Sequence, residues 1–147
     1  VASIGKSDPQ SVRRLSLNLF KKLFLLSLIP LAIFSLFGPP LFSIIFGEKW
    51  YEAGKYAVIL SFLSFSRLVF VPISGVYTVY DKQKDQLFLD LFRLISLCII
   101  YAVAPKLQMG SYVYVTLSSL IMIIQYLIGF LLAQKIIKNQ IELKSHE

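Results

Sequence analysis

Leu23–Phe46, LFLLSLIPLAIFSLFGPPLFSIIF, holds no charged residue, and the uncharged stretch extends unbroken from Lys22 to Glu48. About 20 helical residues suffice to cross roughly 30 Å of hydrocarbon, so this stretch alone reads as a membrane span. Between Lys55 and Asp81 the only charge is Arg67, and between Lys106 and Lys135 there is none. The composition of the 147-residue chain agrees, with 56% hydrophobic and 16% charged residues and a mean hydropathy of +0.71. A soluble domain carries about a quarter charged residues. Apolar residues gathered in such runs exclude a soluble enzyme, a nucleic-acid binder and a secreted disulfide scaffold. Cys98 is the single cysteine, which excludes an internal disulfide. The chain opens with Val1 rather than Met, which reads as a segment of a longer protein.

The expected fold is all-α, a polytopic membrane protein with four transmembrane helices. Residues 1–22 are expected to form a cytoplasmic amphipathic lead-in, with Asp8-Pro9 starting a helix. From Ser11 to Lys22 basic and apolar residues alternate, as in a helix lying on the membrane surface. Residues 23–135 then form the bundle, with spans at about 23–46, 53–80, 84–104 and 111–135, followed by a cytoplasmic tail, 136–147. Pro30 should kink the first span, and Gly38-Pro39-Pro40 should distort or interrupt it. Pro105 should end the third.

The positive residues orient the spans. Of the 15 lysines and arginines, Lys6, Arg13, Arg14, Lys21, Lys22, Lys82, Lys84, Lys135, Lys138 and Lys144 fall on one side. Lys49, Lys55 and Lys106 fall on the other. Basic loops stay in the cytoplasm, so both ends of the chain are expected inside. Trp50, Tyr51, Tyr56, Tyr112 and Tyr114 cluster at the opposite boundary, where aromatic belts form.

Arg67 stands out because it falls near the middle of the second span. A cation there costs about 2.5–3.5 kcal/mol on insertion scales, so it should face protein or water. Ser61, Ser64, Arg67, Ser74, Gly75 and Thr78 share one arc of roughly 140° on an ideal helix. The arc reads as a cavity lining in which Arg67 offers a bidentate site for a phosphate or acidic sugar. A structural arginine tied to carbonyls or to a carboxylate elsewhere in the protein is the other reading. Ser111, Tyr114, Ser118, Gln125 and Gly129 form a second stripe, on the fourth span. Gln125 has the chemistry to bond a sugar hydroxyl, but a bond across to another helix is the commoner use of such a residue. Asp90 and Arg93, three apart on one helical face, read as a mutually neutralised structural pair.

Nothing points to an enzyme. His146 is the only histidine, which leaves no histidine-based metal site and no Ser-His-Asp triad. No phosphate loop or dinucleotide fingerprint is present, no paired carboxylates lie in the spans, and neither a metal nor a cofactor is expected.

Phe46-Gly47-Glu48-Lys49-Trp50-Tyr51-Glu52-Ala53-Gly54 resembles the F-G-x-x-W/Y-x-x-A-G junction between two late helices of bacterial polysaccharide transporters. These are the flippases of O-antigen and other lipid-linked oligosaccharides in the multidrug/oligosaccharidyl-lipid/polysaccharide exporter superfamily. Asp81-Lys82-Gln83-Lys84 resembles their short G-K-Q-K turn, with Asp81 in the glycine position. The likeness extends in hydropathy rhythm from about Arg14 to Ile137. In physical terms Gly47 ends a helix in a left-handed conformation, Trp50 anchors at the interface and Gly54 lets backbones approach. The resemblance implies that the chain is the last four of twelve helices in a two-lobe, alternating-access transporter of the bacterial inner membrane. Its implied cargo is a polyprenyl-diphosphate-linked oligosaccharide, and its implied partners are membrane lipids and the remaining helices. Arg67, Ser64, Ser74, Thr78 and Gln125 are the cavity candidates. A drug or cation exporter of the same superfamily, a membrane glycosyltransferase or ligase and a noncatalytic membrane component are the alternatives.

Overall fold

The computed structural model describes residues 8–145, with side chains to residue 143. Lys6 and His146, and the side chain of Lys144, lie outside the described residues. Helix α1 runs Pro9–Phe46, and one 3-10 turn, Glu48–Trp50, leads into α2, Tyr51–Phe70. A 3-10 stretch, Val71–Ser74, joins α2 to the short α3, Gly75–Val79; α4 is Gln83–Val103 and α5 is Ser111–Ser145. Four stretches are long and apolar enough to cross a membrane: Pro9–Phe46, Glu48–Val79, Gln83–Val103 and Ser111–Leu143. Large apolar side chains such as Leu25, Leu36, Ile44, Phe88 and Tyr101 are exposed. That outward apolar surface is what a lipid solvent calls for.

The start of α1 is set by its cap. Asp8 accepts bonds from the Gln10 and Ser11 amides at 3.1 and 3.3 Å, and Pro9 occupies the first helical position. The helix then continues for 38 residues through Pro30, Pro39 and Pro40. Nothing between Ser11 and Lys22 breaks α1, so the stretch expected as a lead-in is continuous in helix with the first span. One expectation is corrected here: Gly38-Pro39-Pro40 does not interrupt the helix. At that point α1 lies backbone to backbone on α2. A Cβ on Gly54 would come within 2.7 Å of the Gly38 carbonyl oxygen and fall on the Pro39 backbone. Such contacts between small residues replace the hydrophobic drive that helix pairs lack in lipid.

At the end of α1 the Gly47 amide donates to the Ser43 carbonyl at 2.8 Å, and Gly47 takes a φ of 97°. A Cβ there would meet nothing within 4 Å, so the need for glycine is conformational. Phe46 meets Trp50 at 5.7 Å between ring centroids, and Tyr56 meets Tyr112 of α5 edge-on at 5.8 Å. The aromatic side chains at this end thereby tie α2 to α5. Lys55 pairs with Glu52 at 2.8 Å.

The second span is not one straight helix over 53–80. Pro72 has no amide hydrogen, and the backbone tightens into the 3-10 stretch before α3. Asp81, in the glycine position of the G-K-Q-K pattern, has a φ of 55°. The Lys82 amide donates to the Tyr77 carbonyl at 2.7 Å and the Asp81 amide to the Thr78 carbonyl at 3.5 Å. This is a Schellman closure, and aspartate is one of the few residues besides glycine that tolerate it. As expected, α4 stops at Val103, with Ala104 as its cap directly before Pro105. A turn follows, with the Leu107 amide on the Val103 carbonyl at 3.1 Å and Gln108 at a φ of 49°.

Ile73, Val76, Tyr77 and Tyr80 pack with Ala133 and Ile137 of α5 to form the core at the end bearing the Asp81–Lys84 turn, with Val12 and Phe20 of α1 against them. Phe20, Phe70 and Phe130 stack together, with centroids 5.2 Å apart for Phe20–Phe130 and 5.3 Å for Phe70–Phe130. Three helices therefore share one aromatic joint. By contrast, α4 has no buried residue.

Candidate functional site: a polar cleft between α2, α4 and α5

A cleft of about 240 Å³ lies where the end of α2 faces α4 and α5. From α2 and the 3-10 stretch it receives Arg67 and Ser74; from α4, Gln86, Asp90 and Arg93; from α5, Gln125 and Tyr126. Arg67 occupies the last turn of α2, where Pro72 stops the regular helix. The negative end of the helix dipole favours a cation there by about 0.3–1 kcal/mol. Its side chain is exposed and makes no ion pair or hydrogen bond among the described residues. The guanidinium is always charged, and nothing in the cleft neutralises it.

Arg93 is held differently. Its Nη1 lies 3.1 Å from Asp90 Oδ1, and its guanidinium stacks on Tyr126 at 4.7 Å from the ring centroid. Its Nε is buried without a hydrogen-bond partner among the described residues. The pair expected from the sequence thus forms, but it forms on the cleft wall. With Arg67, Arg93 and Asp90 the cleft has a formal charge of +1.

Gln125 is 3% exposed, and neither its amide nitrogen nor its carbonyl oxygen has a hydrogen-bond partner among the described residues. The bond to another helix expected for it is absent. An unmet buried polar group costs about 1–3 kcal/mol, so a donor and an acceptor left open in a polar cleft suit an incoming polar group. The neighbouring Tyr77 is satisfied: its hydroxyl donates to the Gly129 carbonyl at 2.7 Å, pinning α3 to α5. Tyr77→Phe is expected to lower the stability of the purified protein by about 1 kcal/mol, read as a fall in the thermal midpoint.

The expected arc along the second span divides. Arg67 and Ser74 reach the cleft. Ser61 and Ser64 instead line an apolar crevice against Ser27, Pro30 and Phe34 of α1, and Ser61 Oγ donates to the Val58 carbonyl at 2.7 Å. Gly75 faces the start of α1, and Thr78 is exposed outside the cleft. The 3-10 stretch, at three residues per turn, rotates the residues after Phe70 away from the straight-helix register. On α5, Gln125 and Gly129 reach the cleft; Ser118 bonds back to the Tyr114 carbonyl at 2.8 Å, and Ser111 is exposed. Sequence reasoning missed Gln86 and the cleft role of Arg93. Gln86, Asp90 and Arg93 recur at spacings of four and three, one face of α4, which was the available signal.

Comparison with family models, with curated proteins and with solved structures finds no match to this chain. The role of the cleft is therefore read from its residues.

Proposed function

We propose that the chain is part of a membrane transporter, and that the cleft receives the phosphate-bearing head of a lipid-linked oligosaccharide during its passage across the bilayer. The observation that carries this is the convergence of unneutralised Arg67, tethered Arg93 and unpartnered Gln125 in one cleft. Two guanidinium groups suit phosphate oxygens, which they bind bidentately, and a free amide suits sugar hydroxyls. An anion cannot cross hydrocarbon unpaired, so a carrier of such a cargo must supply cations inside the membrane. The resemblance of Phe46–Gly54 and Asp81–Lys84 to the polysaccharide transporters supports the lipid-linked cargo over a free anion. In this reading the chain is the last four of twelve helices, the membrane is the bacterial inner membrane, and both ends lie in the cytoplasm. A cation exporter of the same superfamily calls for a free carboxylate, and Asp90 is already engaged by Arg93 at 3.1 Å.

The test is reconstitution of the intact transporter in proteoliposomes with a fluorescent polyprenyl-diphosphate oligosaccharide. Gln125→Leu is expected to slow translocation about tenfold, the worth of one or two hydrogen bonds to the cargo. Translocation at the wild-type rate in Gln125→Leu would remove the amide from the binding role.

A further inference from the structure

A second recess, of about 620 Å³, lies between α4 and α5, and Leu89 and Gln125 line both it and the polar cleft. Its chemistry is the reverse of the cleft's. Phe88, Leu89 and Phe92 of α4 face Ile128, Leu132 and Ile136 of α5, leaving an apolar trough. At the end bearing the Asp81–Lys84 turn its mouth carries Lys82, Asp85, Lys135 and Asn139. Neither Lys82 nor Lys135 is ion-paired among the described residues. Asp85 stands in the first turn of α4, where a carboxylate answers the helix dipole.

The dimensions suit one leaflet. From Lys135 to Gln125 the trough runs along α5 for about 15 Å at 1.5 Å per residue. Half of a hydrocarbon core of about 30 Å is the same depth. The mouth therefore lies at the headgroup level when Gln125 lies near the midplane. Basic residues at the mouth of an apolar slot between two membrane helices select lipids by headgroup charge.

We propose that this trough is a binding site for an anionic diacyl phospholipid, with one acyl chain laid between α4 and α5 and its phosphate held by Lys82 and Lys135. The lipid fills the gap left between α4 and α5 on the trough side of their contact and so serves as a structural part of the bundle. This site is independent of the transport reading, since it requires no cargo.

Native mass spectrometry of the intact protein, purified in detergent and titrated with phosphatidylglycerol or phosphatidylcholine of equal chain length, tests it. Phosphatidylglycerol should bind about tenfold more tightly. The double variant Lys82→Gln/Lys135→Gln should lose that preference and keep its phosphatidylcholine affinity. Leu132→Trp, which fills the trough and leaves both lysines, should weaken both lipids. Millimolar inorganic phosphate should not displace phosphatidylglycerol. Equal affinities in the wild type, a preference surviving in the double variant, or unchanged binding in Leu132→Trp would each overturn the proposal; the last would give the trough to another protein segment. Displacement by phosphate alone would make it a free-anion site instead. Both lysines are exposed, so the double variant is expected to fold, and its thermal midpoint checks this.

Discussion

Arg67→Ala in the intact protein is expected, on the transport role proposed above, to cut surface polysaccharide export at least tenfold while the level of the protein in the membrane stays the same or rises. The two halves of that expectation come from different physics. Arg67 is exposed and has no partner among the described residues, so its removal leaves no buried group unpaired. It also relieves an insertion cost of about 2.5–3.5 kcal/mol for a cation in the hydrocarbon. A structural arginine behaves in the opposite way, losing stability on truncation. The loss of transport comes from the cargo side, where a hydrogen bond between charged groups is worth about 1.5–3 kcal/mol. Arg67→Lys should fall between, because an ammonium keeps the charge and loses the planar fork. Surface polysaccharide on gels, set against membrane levels of the protein on immunoblots, measures both halves. Export at the wild-type level in Arg67→Ala would end the cavity role of this residue, and lowered membrane levels would make it structural.

The second large effect is on the bundle itself. Gly54→Ala is expected to cost about 1–3 kcal/mol, and Gly54→Val more, because the added carbon falls on the Pro39 backbone and 2.7 Å from the Gly38 oxygen. No flexible side chain is there to yield. To admit the methyl group α1 and α2 must separate along the contact that holds them together. Gly75→Ala is the matched control: nothing lies within 4 Å of a Cβ at Gly75, and its φ of −54° is helical. That variant should melt within about 0.5 kcal/mol of the wild type. Thermal unfolding of the wild type and the three purified variants, followed by tryptophan fluorescence from Trp50, compares them. A Gly54→Ala protein as stable as the wild type would show that the two helices are free to move apart at Gly38.

The helices could be read from the absence of charge, because a bilayer leaves few other solutions for a long apolar run. Their interruptions were harder to read. Three prolines in α1 look like breaks in one dimension, yet the helix continues where Gly54 lies against Gly38 and Pro39. That contact belongs to the folded pair and has no local signature. In the second span a single proline does change the path, and the polar arc divides between two recesses. Arg67 was legible as a costly residue. Its convergence with Arg93 and Gln125 was not, since these stand on three helices and no periodicity relates them. Asp90 and Arg93 were legible as a pair, but their place on the cleft wall depends on Tyr126, which stacks on Arg93 at 4.7 Å.

The unbroken course of α1 has a mechanical corollary. At 1.5 Å per residue its 38 residues measure about 57 Å, well beyond what the hydrocarbon spans. The surplus at its start runs beside the far end of α5, joined through the Gln134 amide donating to Ser16 Oγ at 3.2 Å and through Val12 and Ile141. In the proposed placement, with Lys135 at the headgroup level, the paired residues of both helices beyond it form a lever arm outside the hydrocarbon. A spin label or dye on it, at Arg13 or Lys138, would swing through a wide arc for a small rocking of the helices below, turning a motion hidden in the bilayer into a distance that a spectrometer reads from the water.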